Sequence, residues 1–253
     1  MTERVTSRPR GSYGIDAPYV SIFLAALGVF YVVMAIVTGK WMFCFLSSLI
    51  LALLGWHLHF TLRGKFGVWA ELLEGLRLRG DERIADLGCG RGAVLLMAAQ
   101  HLTTGRAVGV DLWRRADQSG NSVEATQRNA VAEGVADRVE LHTGDLTALP
   151  FQDRSFDVVL SSLALHNISG RAGRAKAVGE AVRVLRPGGR LVIVDVRAIP
   201  QHHAVLAKLG MKDVICRSLE WQFWPTRVLT ATKPEHSIGS QPAAEQPVEP
   251  DTS

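Results

Sequence analysis

Cysteine is scarce in this 253-residue chain: Cys44, Cys89 and Cys216 are odd in number, far apart and in no CxxC arrangement. That excludes a disulfide framework and a thiolate zinc site, and it fits a reducing compartment. Histidine offers no metal site either. His57 and His59 are two apart on one helical stretch and face different ways, and His202-His203 has no carboxylate or cysteine companion at ligand spacing. Charge is absent from Ala17 to Gly39 and from Trp41 to Leu62, so Lys40 alone divides two apolar runs. Lysine and arginine are absent from 234–253, where Glu235, Glu245, Glu249 and Asp251 mark an acidic, Pro- and Gln-rich tail expected to be disordered. The net charge of +4 comes from 28 basic and 24 acidic residues that are scattered rather than run together. Such scatter argues against a nucleic-acid partner, and the basic residues beside the apolar runs point to anionic lipid instead. No internal repeat is visible.

Each apolar run is about 20 residues, or about 30 Å as helix, which matches the core of a bilayer. Arg4, Arg8 and Arg10 precede the pair, Arg63 and Lys65 follow it, and only Lys40 lies between. The bias of positive charge toward the cytoplasm then places both termini inside. The expected organisation is a cytoplasmic segment 1–16, a two-helix transmembrane hairpin 17–62, an amphipathic connecting helix 63–82, a catalytic domain 83–233 and the tail 234–253. Within Gly64–Arg79, Trp69, Leu72, Leu73 and Leu76 stand at i, i+3, i+4 and i+7. That apolar stripe is expected to lie at the membrane interface, the alternative being that it packs on the sheet and the hairpin only sets location.

From Arg83 the pattern alternates. Ile84, Ala85 and Leu87 form a short apolar strand that breaks into Gly88-Cys89-Gly90-Arg91-Gly92, and Ala93–Ala99 reads as a helix. Further strands fall at Arg106–Asp111, Arg138–His142, Ser155–Ser161 and Arg190–Val196, with two more near Lys212–Leu219 and Thr226–Thr232. Helices fall at Ser122–Glu133 and along Ala175, Val178, Ala181, Val182 and Leu185. Strands alternating with helices predict a doubly wound α/β sheet. Ligands of such sheets bind beyond the C-terminal strand ends, so the residues that end strands carry the interest.

Strand one ends at Asp86 and the glycine turn, where bare backbone and a helix N-terminus suit an anionic or nucleotide-like ligand. Strand two ends at Asp111, placed to accept both hydroxyls of a ribose. A dinucleotide-binding domain competes for this pattern, but its third glycine would fall at Ala93. Asp86–Gly92, Val108-Gly109-Val110-Asp111, Gly144-Asp145, Phe156-Asp157-Val158-Val159 and Leu185-Arg186-Pro187-Gly188-Gly189-Arg190-Leu191 together resemble the ordered motifs of class I S-adenosylmethionine (SAM)-dependent methyltransferases. The similar subset is the small-molecule, ubiquinone/menaquinone-methyltransferase-like branch, and the likeness covers about residues 70–233.

The resemblance implies a seven-stranded Rossmann-like sheet with its last strand antiparallel. It implies SAM as cofactor, with Gly88, Gly90 and Gly92 against its methionine end, Asp111 on the ribose, and Asp145 with Leu146 at the adenine. Asp86 and Leu112 belong to the same expected set, and Ser161 with its neighbours to the mouth where methyl transfer occurs. His166, just after strand four, is the candidate for positioning or deprotonating an acceptor. The segment Leu112–Asn121 is longer than that family needs and is expected to cap the cofactor or line the pocket. The expected activity is methylation of an O, N or C nucleophile on a small, lipophilic molecule at the cytoplasmic face of a membrane. Membrane lipid is the expected partner; no metal and no nucleic acid is expected. Rival readings are a membrane-tethered SAM-binding regulator without turnover and a protein or nucleic-acid methyltransferase. The latter lacks here an Asn/Asp-Pro-Pro-Tyr-type motif after strand four.

Overall fold

A computed structural model of the chain describes residues 9–219 and 226–235. The helix α1 (Pro18–Thr38) turns at Gly39 into α2 (Trp41–His59). Through a π-helical segment, Phe60–Gly64, α2 runs on into α3 (Lys65–Leu76) as one continuous rod. The two apolar runs pack on each other: Ser47 Oγ donates to the carbonyl of Gly28 at 3.1 Å, and a side chain at Gly28 would press on Leu51. Their outer faces stay bare. Among the described residues, all the exposed large hydrophobic side chains except Leu112, Val131, Leu209 and Ile215 lie between Tyr19 and Leu62. An apolar surface of that extent is foreign to a water-soluble monomer. Both rods are long and apolar enough to cross a membrane by length and composition.

The α/β unit that follows is a seven-stranded sheet in the order β3-β2-β1-β4-β5-β7-β6. Its strands are β1 (Arg83–Leu87), β2 (Arg106–Asp111), β3 (Val139–Thr143), β4 (Phe156–Ser162), β5 (Leu185–Asp195), β6 (Lys212–Ser218) and β7 (Arg227–Thr232). β7 runs antiparallel between β5 and β6, as the resemblance implied. Its helices are α4 (Ala93–Gln100), α5 (Val123–Ala132), α6 (Gly170–Val184) and α7 (Ile199–Lys208). Alternate side chains of each strand feed two cores. Ile84, Val158, Leu160, Val192 and Val194 pack with α3 and α4 on one face. Ala85, Leu87, Val159, Leu191 and Ile193 pack with α6 and α7 on the other. The fold class, the seven strands and the antiparallel last strand are therefore those expected.

Three details differ from the sequence expectation. The stripe Trp69, Leu72, Leu73 and Leu76 does not face a membrane interface: all four are buried in the sheet core, and Trp69 is 1 % exposed with its indole N–H donating to Ser162 Oγ at 2.9 Å. An amphipathic helix has one apolar face, and the sheet has taken it. The helix α7 was not foreseen, and β5 begins at Leu185, which pairs with Phe156, so that the Pro-Gly-Gly turn is counted into the strand. The expected disordered tail lies, from residue 236 onward, outside the described residues.

Candidate active site

The carboxyl ends of β1, β2 and β4 surround a cavity of about 360 Å³. The glycine turn after β1 forms its floor. Gly88 has φ +77°, and a methyl group there would collide with Ala164. Gly90 has φ +51°, and a Cβ would stand 2.6 Å from Gln118 Oε1. Both positions demand glycine, because L side chains disfavour that backbone and because neighbours fill the space. The turn's N–H groups already have partners inside the protein. Gly90 N–H donates to Asp111 Oδ2 at 2.9 Å, and Arg91 N–H to Gln118 Oε1 at 2.7 Å. Gly88 N–H donates to Val110 O at 2.8 Å.

Asp111 ends β2 with both oxygens engaged: Oδ2 by Gly90, and Oδ1 by the backbone N–H of Trp113 at 2.5 Å and by Asn121 Nδ2 at 3.3 Å. These contacts hold the carboxylate rigid at the cavity wall; Oδ1 already accepts two hydrogen bonds, and Oδ2 keeps a lone pair for a further donor. Asp86 differs. It is 1 % exposed, lines the cavity, and has no well-formed hydrogen bond, the backbone N–H of Leu95 being the donor that faces it. Burial pushes its carboxyl up to about 7. A buried carboxylate without a partner is costly unless a cation or donor reaches it. Burial likewise pushes the Cys89 thiol up, away from nucleophilic behaviour.

Of the residues expected at the site, Asp86, Gly88, Gly90, Asp111, Leu112, Asp145 and Leu146 line this cavity. Asp145 accepts from Thr147 N–H at 2.8 Å, and that bond holds its carboxyl below the usual range. Three others, Gly92, Ser161 and His166, are not among its lining residues. Gly92 caps α4, and a Cβ there would meet Thr126 Cγ2 at 2.9 Å, so its smallness serves helix packing. Ser161 is 1 % exposed and donates to Leu87 O at 3.0 Å on the inner side of β4. Successive strand residues face opposite ways, so Ser162 takes the cavity position instead.

His166 stands in the turn after β4, between the cavity residues Ala164 and Asn167, and its ring is fixed by a residue not singled out from the sequence. Asp195, fully buried at the end of β5, lies 2.7 Å from His166 Nδ1 and also accepts from the backbone N–H groups of His166 and Val196. The contact with Asp195 orients the ring through Nδ1 and leaves Nε2 as its other nitrogen. Asp195 occupies a strand-end position like Asp111, so the rule that picked Asp111 would have found it.

The largest surprise is the N-terminal segment. Residues 10–17 form a strap across the catalytic unit: Glu133 Oε1 accepts from Arg10 N, Gly11 N and Tyr13 OH, and Asn129 pairs with the backbone of Ser12. The strap then pins the long loop after β2. Ile15 and Ala17 bond to Ser119 and Asp117, and Asp16 pairs with Gln118. Leu112, Arg114, Asp117, Gln118 and Asn121 of that loop line the cavity, together with Asp16 and Lys65 from the two ends of the hairpin.

Comparison with known proteins agrees with this geometry. Residues 85–193 match a family model described as a methyltransferase domain. The ubiquinone/menaquinone biosynthesis C-methyltransferase UbiE of Roseobacter denitrificans is 33 % identical over 134 residues, covering 53 % of this chain and 50 % of that protein. A geranyl diphosphate methyltransferase solved in complex with SAM superposes with TM-score 0.57 at 16 % identity, over 70 % of this chain and 89 % of its own. The [4+2]-cyclase SpnF superposes with TM-score 0.58 at 19 % identity, over 69 % and 82 %. Those likenesses at low identity speak to fold alone. The chain spans about half the length of the curated relatives it matches. In sequence over residues 85–193, and in sheet topology, the chain is thus similar to SAM-dependent methyltransferase domains.

Proposed function

We propose that the chain is a SAM-dependent methyltransferase anchored by α1 and α2 in a membrane, with its catalytic unit on the cytoplasmic side. On this reading it methylates an O, N or C nucleophile of a small, lipophilic molecule. The observation that carries it is the junction at the cavity: Asp16 and Lys65 line the cavity and also stand at the two feet of the bare apolar hairpin. Cavity and hairpin adjoin, so an acceptor dissolved in the bilayer has a short path to the site. The quinone-pathway name of the UbiE relative supports a lipophilic acceptor.

The residues present fit SAM on an observation independent of that name. Asp86 lines the cavity with a buried carboxyl that has no side-chain partner, and a cationic ligand end reaching it would satisfy it. Asp111 would take the ribose hydroxyls, Leu112 would flank them, and Asp145 with Leu146 would border the adenine. Gly88 and Gly90 keep the floor free of side chains. Bound SAM supplies an electrophilic methyl group, so the protein's task is to hold an acceptor atom in line with it. His166, oriented by Asp195, would position that acceptor and take its proton through Nε2 where the nucleophile must lose one.

Membranes from cells lacking the chain, incubated with purified full-length protein and methyl-labelled SAM, should yield label in a small, organic-extractable product. Label found only in protein or nucleic acid, or only in water-soluble acceptors, would overturn the lipophilic reading.

A further inference from the structure

The feet of the hairpin do more than border the cavity. Lys65, the first residue of α3, is 7 % exposed, and its ammonium donates to Asp16 Oδ2 at 2.8 Å. Asp16 N–H in turn donates to Thr61 Oγ1 at 2.7 Å, which closes the two ends of the hairpin on each other. The other oxygen of Asp16 accepts from Gln118 Nε2 at 2.6 Å, and Gln118 Oε1 accepts from Arg91 N–H of the glycine turn. The Lys65–Asp16 pair therefore sits one side chain away from that turn. An ammonium has three donors, and Asp16 accounts for one. A buried lysine that faces a cavity with donors to spare is matched to an anion.

We propose that the hairpin completes the cofactor site: Lys65 binds the carboxylate of the amino-acid end of SAM, while Asp16 is the positioning residue that holds the ammonium in place. This rests on the SAM reading above. Asp86 then meets the α-ammonium of the same zwitterionic end, so the two charges of the ligand fall on two side chains of opposite sign. The consequence is a cofactor site built partly from residues beyond the matched domain, with the contact after the hairpin and its support before it.

The test compares the full-length wild type with Lys65→Met in lipid nanodiscs, by calorimetry with two ligands. The methionine keeps the aliphatic stem and removes the charge. SAM carries the amino-acid end, whereas 5′-methylthioadenosine has the nucleoside thioether without it. Loss of a charge-assisted bond should weaken SAM binding by about tenfold or more. Affinity for methylthioadenosine should be unchanged, and Lys65→Arg should recover part of the loss. Equal weakening for both ligands would make Lys65 a structural residue and overturn the proposal, as would unchanged SAM affinity. Failure of the wild type to bind SAM at all would remove the cofactor reading itself, a different result from wild-type binding that Lys65→Met leaves intact.

Discussion

Asp86 and Asp111 are both carboxylates at the end of a strand, yet their surroundings separate their roles. Asp111 is clamped by three donors, whereas Asp86 is buried without a well-formed hydrogen bond. Asp111→Ala should weaken SAM binding by more than about tenfold, since a fixed acceptor for two hydroxyls is lost and two backbone N–H groups are left unpaired. Calorimetry with unchanged affinity would move the ribose elsewhere. For Asp86 the sign follows from burial, which raises the carboxyl to about 7 in the folded protein. The folded state then holds its proton where the unfolded chain has released it, so this group costs stability as pH rises from the unfolded value toward 7 and beyond. Asp86→Asn should therefore raise the Tm of the ligand-free protein at pH 8 and leave it nearly unchanged at pH 4. A cationic ligand end needs the ionised form, so SAM affinity of the wild type should fall below about pH 7, and the Asn variant should lose that dependence. His166→Ala should lower kcat with SAM affinity intact, and Asp195→Asn should do the same by freeing the ring to turn; unchanged kcat in both would make the pair structural.

Among the elements, α3 carries the most weight because it joins hairpin to sheet. Trp69 is buried against β4 and bonded to Ser162, so Trp69→Ala should destabilise the catalytic unit by about 3–5 kcal/mol. Denaturant unfolding followed by hydrogen exchange in β1 and β4 would report it. Ile36→Ala, on the bare face of α1 at 77 % exposure, should leave the same unfolding midpoint unchanged. The long loop after β2 is a second case. Read from the sequence as capping the cofactor or lining the pocket, it lines the cavity, and the strap ties it down through Ile15, Asp16 and Ala17. Deleting residues 1–14 would leave those ties, whereas Gln118→Ala removes the bond to Asp16 and the cap on Arg91 N–H together. Gln118→Ala should accordingly speed exchange of the Arg91 amide in the ligand-free protein.

At the scale of the whole molecule, the hairpin and the α/β unit form one object, since the strap, the loop after β2 and α3 meet at the cavity. The proposed orientation puts Gly39 and Lys40 outside and the catalytic unit inside. Gly39 has φ +64°, so the reporter belongs at Lys40, whose backbone is extended. A Lys40→Cys variant with Cys44 and Cys216 changed to serine should react with an impermeant thiol reagent added to intact cells. A cysteine in place of exposed Lys212 in the same background should react only after lysis. The reverse pattern would invert the topology.

Much of this was written in neighbouring residues. Two uncharged runs, alternating strand and helix periods, and glycine turns at strand ends are local signals, because hydrophobic period and turn chemistry act over a few residues. They determined the hairpin, the doubly wound sheet and the strand-end acids Asp86 and Asp111. What depended on packing was not legible there. The face that α3 shows to the sheet rather than to lipid, the choice of Ser162 over Ser161, and the pairing of His166 with Asp195 each depend on where another element lies. The network of Asp16, Lys65 and Gln118 is the clearest instance: its members lie 49 and 102 residues apart in sequence, and only the docking of hairpin, strap and loop on one sheet edge brings them within hydrogen-bonding distance.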